Sequence, residues 1–342
     1  MSLSQREIEI LATIVEDYIE RAAPIGSRTV AKKSSLGLGP ASIRNIMADL
    51  TEKGYLEQPH TSAGRVPSTA GFRFYVDRLV KVQPLSEAEK QTIKAQLDDT
   101  DLELSEVFKR ASRLLSSFSK QVSMVLAPNR SAARWKQIEF VMIRKGLVMA
   151  ILLLQEGIVE NKVITVSDEI TADDLVKYRN YLNEIFQGKT VSEVRTHLLR
   201  EMQQARERFN RLYQKALLLA RKTFEDDERE MFVDGTVNIL DQPEFADMET
   251  MREIFKVLEE RSKLLELLDK ITGKGGIKIV FGREAMLEEF PYCGLVSSAY
   301  GTEQSVHGAL GIIGPLRMDY AKMVPVVDFT AQMLSNVLKK RH

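Results

Sequence analysis

The sequence predicts an α+β multidomain protein: an N-terminal winged helix-turn-helix, then an antiparallel-sheet domain interrupted by helices. Three observations predict it. Residues 4–54 carry three short helix patterns punctuated by proline and glycine. Two strand-like pieces, "YLEQ" and "RVPS", then flank the loop "PHTSAG", as in a β-wing. Farther along, β-branched strand runs fall in two blocks separated by a long helical stretch.

Ser4 to Glu7 read S-x-x-E, a capping box that satisfies free N–H groups at a helix start. Ile8, Leu11, Val15 and Ile19 give this first helix one apolar face, and Pro24 and Gly26 stop it. Ser27 can cap a second helix through about Ser35, with Gly37 at its end. Gly39-Pro40 opens a third, because proline at the first helical position wastes no hydrogen bond. Ile43, Ile46, Met47 and Leu50 share one side of it, Ala41, Asn45 and Ala48 point the opposite way, and Gly54 ends it. Thr69 starts a fourth helix with Phe72, Tyr75, Val76 and Leu79 on one stripe.

Three short helices with a Gly-containing turn before the last make a helix-turn-helix, whose second motif helix offers its N-terminal residues to base edges in a major groove. On that expectation Asn45 can pair with adenine, Arg44 can take guanine or a phosphate, and Ser42 can serve either. Gly64 permits the tight turn of the wing, and Arg65 can enter a minor groove or grip the backbone. Between Pro24 and Ala48 stand four basic residues, Arg28, Lys32, Lys33 and Arg44, and no acid. That local field suits phosphate even though Lys+Arg and Asp+Glu balance at 48 each over the chain. Arg28 and Lys32 join the candidate DNA-binding set; for Lys32 and Lys33 a merely solvated face is the competing reading.

Residues 84–120 read as a charged linker helix. "QVSMVLAP", "KQIEFVMIR", "GLVMAILLLQ" and "ENKVITVS" then read as strands of one antiparallel sheet, and "GIKIVFG", "GLVSSAY" and "VHGALGIIGPL" as its return. Between them Thr171 caps a helix bearing Leu175, Tyr178, Leu182, Ile185 and Phe186, a helix-rich run covers about Thr190–Met231, and another helix covers about Asp247–Ile271. Leu198, Met202, Phe209 and Leu212 recur among basic residues. This stripe either packs within its own chain or binds a partner, and dimerisation is the expectation. Pro325 falls inside an otherwise helical C-terminal stretch, where it should kink or delay the helix.

The enzyme classes find no support. One cysteine, Cys293, excludes an internal disulfide and a cysteine zinc site, and it should pack as a small apolar residue. Four scattered histidines lack ligand spacing, so neither metal nor cofactor is expected. "GKGGIKIVFG" and "GALGIIGP" miss the spacings of phosphate loops. The N-terminus lacks a signal-peptide layout and no apolar run reaches membrane length, so a cytoplasmic protein is expected.

Taken together, "LSQREIEILATIVEDYIERAAPIGSRTVA", "ASIRNIMADLTEKGYLEQPHTSAGRVPSTAGFRFYVD" and "GALGIIGPLRMDY" closely resemble the HrcA family of bacterial heat-inducible transcription repressors. The resemblance implies a homodimer that represses heat-shock genes by binding an inverted-repeat DNA operator, CIRCE, with activity supported by the GroEL chaperonin. It also implies a winged-helix domain at 1–83, a linker helix at 84–120, a GAF-like domain from 121–189 and 236–342, and an inserted helical dimerisation domain at 190–235. Ser42, Arg44 and Asn45 fall in the family's recognition helix, and Gly64 and Arg65 in its wing. The alternative is a transcription regulator whose GAF-like domain senses a small ligand.

Overall fold

The computed structural model describes residues 3–60, 63–98, 102–128, 133–155, 159–204, 216, 218–220, 230–245, 247–272, 276–282, 292–301 and 307–340. The chain forms two compact units. One comprises Met1–Leu126, Met231–Tyr300 and Ala309–Leu334; the other comprises Ala127–Glu230, Gly301–Gly308 and Ser335–His342.

The first unit begins with the winged helix. Helix α1 (Gln5–Arg21) starts at the predicted capping box, in which Ser4 accepts from the Glu7 N–H and Glu7 accepts from the Ser4 N–H at 2.8 Å. It ends at Ala22 in the left-handed region, φ 53°, just before the expected Pro24 stop. Helix α2 (Ser27–Lys33) is capped by Gly26, so Ser27 is its first residue and not its cap. Helix α3 (Pro40–Glu52) carries proline at its start and buries Ile43, Met47 and Leu50. Strands β1 (Leu56–Glu57) and β2 (Val66–Pro67) pair antiparallel as the wing, with Leu56 opposite Pro67. Helix α4 (Thr69–Arg78) is capped by the Ser68 hydroxyl, which accepts from the Gly71 N–H at 3.1 Å, and buries Phe72, Tyr75 and Val76.

The expected single linker helix is two helices, α5 (Glu87–Leu97) and α6 (Leu104–Ser119). Neither is free: α5 buries Ile93 and Leu97, and α6 lies on a sheet. That sheet has five strands, β3 (Val122–Leu126), β7 (Met231–Asp234), β8 (Ile277–Phe281), β9 (Cys293–Gly301) and β10 (His307–Pro315), in the order β7-β3-β10-β9-β8. Alternation along β3 divides its faces. Val122, Met124 and Leu126 face a core shared with α9 (Met248–Glu259) and α10 (Arg261–Thr272). Ser123 faces α6, where its hydroxyl lies 3.1 Å from that of Ser112, and Phe108 of α6 packs on Phe232 and Tyr300. Cys293 is buried in the α9–α10 core as a small apolar side chain. Strand β7 falls at the end of what sequence reads as a helical run; its four residues are held by pairing with β3, Val233 opposite Met124.

Helix α11 (Tyr320–Lys340) runs through Pro325 without a break. Proline has no N–H for the carbonyl four residues earlier, and that carbonyl, of Ala321, instead accepts from the Gln83 N–H at 3.1 Å. The freed acceptor thus ties the segment after α4 to α11.

The second unit is a three-stranded meander, β4 (Trp135–Arg144), β5 (Leu147–Leu154) and β6 (Val159–Thr165), with α7 (Ala172–Phe186) and α8 (Val191–Gln204). Sequence alone places these strands in one sheet with β3 and confines the insertion to 190–235. The structure corrects the first: β3 already has β10 and β7 on its two edges, and among the described residues β4–β6 form a sheet of their own. The second compact unit thus holds this sheet as well as α7 and α8. Asn183 of α7 fixes β4, accepting from the Trp135 indole N–H at 3.0 Å and the Ile138 N–H at 2.7 Å and donating to the Ile138 carbonyl. Among the described residues no helix is long and apolar enough to cross a membrane.

The α1 cap yields a prediction. Lys53 donates to Glu7 at 2.5 Å, and this bond together with the Ser4 N–H lowers the Glu7 pKa from 4.5 to about 2. Folding therefore favours the ionised form, and the stability this adds is complete above pH 4.5 and lost as pH falls through about 2. Glu7→Gln should cost about 1 kcal/mol at pH 7. In thermal melts followed by circular dichroism, the gap between variant and parent should close across that acidic window.

Candidate nucleic-acid interface

The recognition surface is assembled from three pieces of chain. The start of α3 presents Ser42, Arg44 and Asn45, all exposed, because Ile43, Met47 and Leu50 take up the inward face. Helix α2 presents Arg28 and Lys32, also exposed. Among the described residues none of Arg28, Lys32 and Arg44 has a carboxylate partner. Lys33 differs: its ammonium contacts Asp17 at 2.5 Å and Glu20 at 3.4 Å, and the bond to Asp17 raises its pKa. Its charge is already committed to α1, so the cations of this face that lack a carboxylate partner among the described residues are the other three.

The wing supplies the third piece, in a way sequence does not anticipate. Arg65 is half-buried at the root of the wing. Its backbone forms an isolated antiparallel bridge with Ile25, N–H to carbonyl at 2.9 Å in one direction and 3.0 Å in the other. Its Nε donates to the Thr51 hydroxyl at 3.0 Å, which turns the guanidinium toward α3. Gly64 is required for a different reason from the expected tight turn. Its φ is not in the left-handed region. Instead, a Cβ there would lie 2.5 Å from the Ile25 carbonyl carbon and 2.9 Å from its nitrogen. The glycine lets two backbone segments touch.

The consequence is a polar cleft of about 480 Å³ lined by Gly26, Ser27, Arg44, Met47, Gln58, Ala63, Gly64 and Arg65. It brings the arginine of α3 and the arginine of the wing onto one concave surface. Ser27 and Gln58 were not singled out by sequence as site residues. Gln58 donates to the Ala63 carbonyl at 3.3 Å; Ser27 comes with α2, which packs on α3, and the pairing of residue 25 with residue 65 brings the wing alongside.

The expected dimerisation stripe fares differently. Leu198 is 3% exposed, packed with Trp135, Phe186 and Val194 in the core of its own unit, so its side chain faces inward and offers nothing to a partner. The side chain of Met202 and all of Phe209 and Leu212 lie outside the described residues. An apolar surface does exist on the far side of the β4–β5–β6 sheet. Val141, Ile143, Val159 and Val163 are each about half exposed there, and the register aligns Val141, Met149 and Val163 across the three strands.

A three-helix core, a wing sealed to it, and a basic, acceptor-poor surface at the start of α3 define a winged-helix transcription regulator. The description "HrcA protein C terminal domain" fits residues 105–324. The heat-inducible transcription repressor HrcA of Nitratidesulfovibrio vulgaris (strain Miyazaki F) is 44% identical over 99% of this chain and 97% of its own length. That of Geobacter sulfurreducens is 41% identical over 98% of each. The chain belongs to the HrcA family. A crystal structure of a hypothetical protein, 22% identical, superposes over the full length of both chains with a TM-score of 0.70 and shares the fold.

Gly64→Ala should separate the wing from α2. An ordinary glycine-to-alanine change at a compatible site stabilises by ~0.4–1 kcal/mol through the unfolded chain. Here the backbone overlap should reverse the sign. Hydrogen exchange at the Ile25 and Arg65 amides, protected in the parent, should accelerate at least tenfold, about 1.4 kcal/mol of local opening.

Proposed function

We propose that the chain is a cytoplasmic repressor of heat-shock genes that binds the inverted-repeat CIRCE operator as a homodimer, its active fold supported by the GroEL chaperonin. The observation that carries the DNA-binding part is the shared cleft: Arg44 and Arg65 face it, while Ser42 and Asn45 stand exposed at the adjoining helix start. Asn45 is suited to a bidentate pair with adenine, Ser42 to a base edge or phosphate, and Arg28, Lys32 and Arg65 to backbone phosphates. The heat-inducible repressor names of the relatives support the class of genes.

One winged helix reads half of a palindrome, and a two-fold dimer supplies the other half. The surface best suited to that role is the outer face of the β4–β5–β6 sheet rather than the α8 stripe. It is a row of half-exposed valines on a rigid meander, and covering each contributes roughly 1 kcal/mol or more. A heat response follows if the active state is marginally stable, since a chaperonin that refolds the inactive chain restores the population able to bind.

One series of operator titrations, with a scrambled duplex as control, tests this reading. Asn45→Ala should weaken binding by ~1–3 kcal/mol and relax preference at a single base pair per half-site. Val141→Glu should give a monomer in light scattering and lose affinity for the paired site while keeping its affinity for an isolated half-site. Equal binding of operator and scrambled duplex by the parent would refute sequence-specific repression.

A further inference from the structure

The winged helix meets the five-stranded sheet at an open edge. β8 ends the strand order, so among the described residues one of its sides has no neighbouring strand. The ladder decides which backbone groups turn to that side. Gly282, just past β8 in the register that sets Phe281 opposite Gly294, donates to the Cys293 carbonyl at 2.8 Å. Bonded and non-bonded pairs alternate along an antiparallel ladder. Ile279, three residues before Gly282 and opposite Val296, therefore stands in a non-bonded pair and turns its carbonyl outward. An edge carbonyl is an open acceptor, and Arg73 of α4 takes this one, its Nη2 donating at 3.0 Å. The same guanidinium lies 4.4 Å from the centre of the Phe281 ring. That ring is fully buried and meets Tyr320 edge-on at 5.7 Å, so the receiving surface is fixed.

The donor side belongs to the body of the winged helix. Phe72 of α4 packs on Tyr18 of α1, and Phe74 packs on Tyr55 ahead of β1, with rings 6.1 and 5.6 Å apart. The chain then continues to α5 through residues 80–86, which are mostly exposed and in neither helix nor strand. A segment of that kind does not fix the orientation of the body it carries. A planar cation held by a carbonyl and a ring together does, because it admits few approaches. Two other hydrogen bonds reach this region, but Arg317 touches only the last turn of α1 and Gln83 lies in the connecting segment itself.

Two winged helices on an inverted repeat must match its half-sites in distance and rotation, and each base pair added between them turns one half-site by about 35°. Resting on the dimeric, inverted-repeat reading given above, we propose that Arg73 is a positioning residue for operator binding. By clamping α4 to Ile279 and Phe281 it sets how each winged helix is presented, and so selects the spacing between half-sites.

Titration of the full chain against inverted-repeat duplexes with zero, one or two base pairs added to the spacer tests this, with an isolated half-site and a scrambled duplex beside them. The parent should bind the unaltered spacing best and lose at least about tenfold when two pairs are added. Arg73→Ala should remain a dimer in light scattering and keep half-site affinity within about twofold, yet bind the three spacings within about threefold of one another. Phe281→Leu leaves every charge in place and lies outside the winged helix, so the same flattening there separates the clamp from any attraction of Arg73 to phosphate. A merely destabilising change would weaken all duplexes by one factor and leave the preference intact. A parent without a spacing preference, or either folded variant retaining the parent's preference, would overturn the proposal. A parent that binds the inverted repeat no better than the scrambled duplex would refute the underlying reading, and the proposal with it.

Discussion

The proposed recognition surface depends on one backbone contact, the bridge between Ile25 and Arg65. The wing itself is only two residues per strand and could not hold its place by its own ladder. Fastening its root to Ile25, just ahead of the α2 cap, adds two hydrogen bonds at 2.9 and 3.0 Å, and Gly64 makes the approach possible by lacking a side chain. The Thr51 hydroxyl then orients Arg65 toward α3. Helix, turn and wing are thereby fastened to one another, as the proposed base readout would require, because base contacts tolerate little misplacement.

A second layer of contacts ties this surface to the five-stranded sheet. Arg73 of α4 donates to the Ile279 carbonyl at 3.0 Å and stacks on Phe281 at 4.4 Å. Arg317 reaches the other way, to the Ile19 carbonyl of α1. Pro325 contributes by what it lacks, leaving the Ala321 carbonyl for Gln83. Arginine suits the first two positions because a planar, weakly hydrated guanidinium can be half-buried while still donating in several directions. The winged helix is thus attached at α1, at α4 and just beyond α4.

Local features were the legible ones. The caps at Ser4 and Thr171, proline at the start of α3, and the apolar stripes of α3, α4 and α7 are written in three- and four-residue spacings and bury their main residues as read, whereas α1 buries Ile10 and Ile14 beside Leu11 and Val15 and leaves Ile8 and Ile19 half-buried. Most strands were visible for the same reason. Long-range features were not. Which strands share a sheet depends on edges, and β3 pairs with β10 almost two hundred residues away while leaving β4 to its own meander. β7 is too short to carry a period, and the α8 stripe that resembled a partner surface turned its Leu198 into the core. In the site, Ser42, Arg44 and Asn45 followed from helix phase alone. The roles of Gly64 and Arg65 rest on Ile25, forty residues earlier in the chain, and no local pattern encodes that.

The central claim is that the wing and the recognition helix act on DNA as one surface. A double-mutant cycle on Arg44→Ala and Arg65→Ala, read as operator affinity at fixed salt, measures it directly. Two side chains facing one cleft should show a coupling of at least about 0.5 kcal/mol. Losses that add to within about 0.3 kcal/mol would mean that the two arginines act independently, and would contradict the account.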